Sequence, residues 1–147
     1  MRVVSVSLGV FIGLAVCLAS ATGEEPKPAK LAFRKIEVAF AVPNPSYTVW
    51  ITDIRKVGDE VWVRGEVAQF RGEPDRVWPA VISEVKAGLS IRLPDLPLKY
   101  IITGKSWNWA NKENYTFVAD LKAQEGKTLM DRFRSGEAWF SVEDWDR

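Results

Sequence analysis

No histidine occurs anywhere in the 147 residues, so proton transfer near neutral pH would fall to carboxylates. Ser-His-Asp and Cys-His catalysis, HExxH zinc sites, an imidazole general base and histidine-ligated haem are all excluded. Glu60, Glu66, Glu84, Glu113 and Asp120 are the acids on offer for hydrolysis. They are scattered among lysines and arginines as on solvated strands, and no two are set apart as a glycosidase pair. Ser106 beside Lys105 or Lys112 has the residue types of a Ser-Lys dyad, but adjacency in sequence does not align them. Gly104-Lys105-Ser106 matches the end of a phosphate-binding loop, yet Lys99 stands where the loop's first glycine belongs. The reading is a chain without catalytic residues, metal ligands or cofactor.

Aromatic side chains are the other chemistry present, with seven tryptophans. Trp107-Asn108-Trp109 puts two indoles on one side of an extended segment, and Tyr115 and Phe117 follow in step. Such rings anchor protein interfaces and stack on sugars. Trp50 and Trp62 fall on the more polar face of an expected hairpin. The candidate partner- or ligand-binding residues are therefore Trp50, Trp62, Trp107, Trp109 and Tyr115; the competing expectation is that most tryptophans fill the core of a disulfide-free sandwich.

The elements that would position these rings follow from periodicity. Ile36, Val38, Phe40 and Val42 alternate with polar or small residues, as on a strand with one buried face. Residues 47–54 and 60–70 alternate likewise around Gly58, which can supply the positive φ of a tight turn. Pairing Lys56 with Glu60 sets Val49 against Val67 and Ile51 against Gly65 on one face, with Trp50 against Glu66 and Ile54 against Trp62 on the other. Residues 76–86 are apolar on both faces, the mark of a central strand with Pro79 at its start or at a bulge. Pro94 and Pro97 frame an extended crossing into a strand over 98–103. Residues 105–109 and 115–121 are expected to form a second hairpin around the polar 111–114 turn, with Trp107 and Trp109 on the side of Tyr115 and Phe117 and one indole partly exposed. Only 127–134 suggests a helix, from the Leu129 and Phe133 spacing, stopped by Gly136. The expected fold is all-β or mostly β, an antiparallel sandwich or small barrel with at most one short C-terminal helix.

Residues 1–21 read as a secretory signal peptide: Arg2, a largely apolar stretch, then Ala19-Ser20-Ala21 as the cleavage signal. Cys17, the only cysteine, would leave with it; Val16 before it is not the small residue a lipidation motif favours. Residues 22–30, with Pro26 and Pro28, read as a flexible linker, and 31–147 as one β-rich domain. Without Arg2 the basic residues number 19, against 19 acidic. A formally neutral domain suits neither nucleic acid nor an anionic lipid surface. A cysteine-free exported domain suits a bacterial periplasm or secreted setting, with no membrane span after cleavage.

Residues 47–100 resemble the small exported β domains of the PrcB type, described as protease-complex or protease-regulating subunits. The matching features are YTVWITDI, the return strand VWVRGEV, Val77-Trp78-Pro79-Ala80-Val81, and Asp95-Leu96-Pro97-Leu98 leading into Lys99-Tyr100. The resemblance covers a little over a third of the chain. It implies a protein-contacting module without catalysis and transfers no functional residue. The expected function is an accessory or regulatory subunit that binds another envelope or secreted protein. The alternative is a carbohydrate-binding module whose platform is Trp107, Trp109 and Tyr115.

Overall fold

A computed structural model describes residues 30–142 except 71, 73–75 and 111. The expected signal peptide at 1–21, linker residues 22–29 and the last five residues lie outside the described set. The described chain is mostly β with one short C-terminal helix. Its strands are β1 (Leu31–Val42), β2 (Tyr47–Val57), β3 (Glu60–Gln69), β4 (Ser83–Pro94), β5 (Leu98–Gly104), β6 (Tyr115–Phe117) and β7 (Glu137–Ser141). A 3-10 turn (Val118–Asp120) and helix α1 (Ala123–Arg134) lie between the last two. Among the described residues no helix is long and apolar enough to cross a membrane.

β1 and β4 form a two-stranded antiparallel ribbon, and the other strands form a sheet in the order β6-β5-β3-β2-β7. Period-two patterning explains the main core. Ile36, Val38, Phe40 and Val42 point inward from β1 and meet Val49, Ile51, Val61, Val63, Val67, Ile102 and Phe117 on one face of the sheet. The opposite parity builds a second, smaller core: Val57, Trp62 and Ile101 pack beneath Met130 and Phe133 of α1. Burial of these apolar groups on both sides makes the sheet a shared wall between ribbon and helix.

The β2–β3 hairpin departs instructively from the expected register. Its turn contains only Gly58 and Asp59, with Gly58 at φ 61°, so Val57 rather than Lys56 opposes Glu60, and Arg55 rather than Ile54 opposes Trp62. Beyond a bulge at Thr52 the expected pairs return: Ile51 with Gly65, Trp50 with Glu66, Val49 with Val67. The extra residue is held by its hydroxyl, which accepts from Arg64 Nε at 2.8 Å and donates to the Arg64 carbonyl at 3.2 Å.

Three further expectations are corrected. Residues 76–82 are not a strand; β4 begins at Ser83 and runs on to Pro94. Residues 105–109 and 115–121 are not a hairpin: β6 runs parallel to β5, Tyr115 opposite Tyr100 and Phe117 opposite Ile102. β3 and β5 are parallel too, so the large sheet is mixed rather than antiparallel. Tyr115 and Phe117 of β6 face the ribbon side, where their rings lie 5.8 and 5.3 Å from Phe40. Finally, α1 starts four residues earlier than expected, and β7 had no periodic signal that foretold it.

Candidate functional site

Aromatic and apolar side chains gather at the end of the β2–β3 hairpin farthest from its turn. Phe70 N–H donates to the Ser46 carbonyl at 2.7 Å and closes that end. Tyr47 and Gln69 are the last paired residues. Lys105 Nζ reaches both, 3.3 Å from the Tyr47 hydroxyl and 3.5 Å from Gln69 Oε1. The Trp107 ring meets Tyr47 edge-on at 4.9 Å, and Trp109 lies 6.3 Å from Trp107. Trp109 is 49% exposed.

On the Phe70 side of the same end, the Phe70 ring is 58% exposed and stands edge-on to Trp78 at 6.4 Å. The Arg76 guanidinium covers Trp78 at 4.3 Å. Val77, 91% exposed, and Val81 and Ile82 project into solvent. Apolar surface of this kind is costly to leave in water unless another surface covers it.

The five residues singled out from sequence do not form one site. Trp107 and Trp109 do come together. Trp50, 38% exposed, lies on the other face of the sheet, across from Glu66. Trp62 is fully buried under α1, its indole N–H donating to Glu60 Oε2 at 2.8 Å, so it is core and not exposed surface. Tyr115 is half-buried, and its hydroxyl is engaged by β1: it accepts from Ala39 N–H and donates to the Ala39 carbonyl, both at 3.1 Å. These two bonds pin β1 to the sheet, and the Tyr115 ring packs among Phe40, Tyr100 and Phe117, whereas the two indoles pack with each other and Tyr47. Sequence reasoning overlooked Tyr47, Phe70, Trp78, Val77, Val81 and Ile82. The signal that could have found the 76–82 segment is its two-faced apolarity, a pattern that exposed binding segments share with interior strands.

The polar motifs have structural occupations. Gly104 has φ 98°, and a Cβ there would lie 2.1 Å from the Val67 carbonyl oxygen, so glycine serves the close approach of β5 to β3. Glu84 pairs with Lys86 at 3.2 Å. Lys112 Nζ lies 2.5 Å from Asp120 Oδ2, and this hydrogen bond holds the Asp120 carboxyl below its ordinary range. Asp53 is buried and accepts from Arg55 Nε at 3.1 Å; Arg55 Nη1 in turn donates to the Arg134 carbonyl at 2.9 Å, tying the end of α1 to β2. Among the described residues no three Cys, Asp or Glu side chains converge as cation ligands. No protein family, curated protein or solved structure matches the chain.

Proposed function

We propose that this chain is an exported, non-catalytic β domain that binds another envelope or secreted protein as an accessory or regulatory subunit. One observation carries the reading. Residues 77–82 have the two-faced apolarity of an interior strand, yet no strand among the described residues pairs with them, and all but the half-buried Trp78 are exposed ahead of β4. A partner surface would supply the neighbours this segment lacks. Phe70 stands edge-on to Trp78 of this segment and offers the rigid aromatic contact that interfaces favour. The PrcB-like motifs fall on β2, β3, β5 and this segment, and imply the same class of role.

The test is site-directed photo-crosslinking in the exporting bacterium, with a photoreactive phenylalanine at Val77 and, as control, at Glu84 on the outer face of the ribbon. A single discrete protein adduct from position 77 and none from 84 is expected. Adducts of equal pattern from both positions, or only the chain crosslinked to itself, would count against the reading.

A further inference from the structure

A groove of about 350 Å³ runs between α1 and β5, lined by Gln124, Glu125, Thr128, Leu129, Arg132, Lys99 and Trp62. That volume is at the small end of ligand clefts. Its length is set by the helix: Gln124 and Arg132 are eight residues apart, about 12 Å along the axis. An extended peptide of about four residues covers that distance. The shape is a trough rather than a pit.

Two of the lining side chains, Lys99 and Arg132, are cations. Lys35, Lys86, Lys112, Arg55 and Arg134 each pair with a carboxylate. Lys99 and Arg132 instead converge on the Trp62 ring, Lys99 Nζ 4.2 Å and Arg132 Cζ 5.2 Å from its centroid. A ring face orients a cation without neutralising it. Both groups are thus held near one another with their N–H donors unshared by any acid among the described residues. Glu125, toward the other end of the trough, is the one acid in the lining; Glu60, outside it, accepts from the Trp62 indole N–H, so the carboxylate sits at the indole edge while the two cations occupy the ring.

We infer that this groove takes a carboxylate-rich extended segment of a partner protein, its acidic side chains on Lys99 and Arg132 and its backbone along α1 past Leu129 and Gln124. The preordered cations lower the side-chain entropy cost that usually weakens exposed ion pairs. The groove is separate from residues 76–82, so the fate of this inference does not decide the contact proposed there.

The experiment is titration of the isotope-labelled full chain, followed at the Trp62 indole N–H by two-dimensional NMR. The probes are acetyl-Ala-Glu-Glu-Ala amide, its Gln-Gln analogue, and succinate. The Glu-Glu peptide should shift the Trp62 signal saturably and the α1 amides with it. Its affinity should fall about fivefold for Lys99→Ala or Arg132→Ala, and further for both together. Absence of any shift in the unaltered chain would overturn the inference. So would equal binding of the Gln-Gln peptide, affinity unchanged in the double variant, or succinate binding more tightly than the peptide, which would make the groove a site for free dicarboxylates.

Discussion

Alanine substitution at two positive-φ glycines separates backbone conformation from strand contact. At Gly58, φ is 61° and nothing lies within 4 Å of an added Cβ. Only the left-handed backbone is penalised there, by about 1–2 kcal/mol, offset by about 0.4–1 kcal/mol because alanine narrows the unfolded ensemble. At Gly104, φ is 98° and the Cβ would sit 2.1 Å from the Val67 carbonyl oxygen and 3.1 Å from its carbon. Both atoms are backbone in the final parallel pairing of β3 with β5, so relief requires the strands to part. Overpacking adds about 1–3 kcal/mol. Gly104→Ala should therefore cost roughly 2 kcal/mol more than Gly58→Ala, read as a lower urea midpoint at unchanged slope. Because Gly104 leads into Lys105 and Trp107, the same variant should also reduce photo-adduct yield from a probe at Trp109. Losses within about 0.5 kcal/mol of each other would refute the claim that strand approach, and not φ alone, demands glycine at 104.

Other outcomes follow from the packing. Phe133→Ala should destabilise by about 3–5 kcal/mol, since the ring is fully buried between α1 and the sheet and also faces the Arg55 and Arg64 guanidiniums; Phe70→Ala should stay within about 0.5 kcal/mol by the same urea assay while lowering partner capture. Tyr115→Phe strips both bonds from Ala39 and should cost about 1–2 kcal/mol, with faster amide exchange at Ala39. The Tyr100 hydroxyl is pushed above its ordinary 10.0, first by burial and then by neighbouring Tyr115. Its neutral form is thus favoured by folding: the contribution is intact below pH 10 and is lost as pH rises through the elevated folded value. Stability measured from pH 9 to 12 should fall above pH 10, and Tyr100→Phe should flatten that fall.

The local features were legible because their causes are local. The inward stripe of β1 follows from a period of two, the hairpin turn from the backbone freedom of Gly58, and the helix over 127–134 from Leu129 and Phe133 one turn apart. Absence of histidine and cysteine chemistry in the domain needed no coordinates at all. What tertiary structure decided was which surfaces meet. Period-two reasoning assigns a side chain to a face but not to a partner strand, so it could not see that β6 lies parallel beside β5, or that a bulge at Thr52 shifts the lower half of the hairpin by one residue. The candidate residues divide for the same reason. Trp62 and Trp109 look alike in sequence, but α1 covers one completely while the other stays half exposed beside Trp107. The groove at Lys99 and Arg132 joins residues 33 positions apart, and only the docking of α1 over β5 brings both cations to one indole. Residues 76–82 make the contrast sharpest: their apolar pattern is written in the sequence, while the lack of a strand beside them among the described residues depends on where the rest of the chain packs.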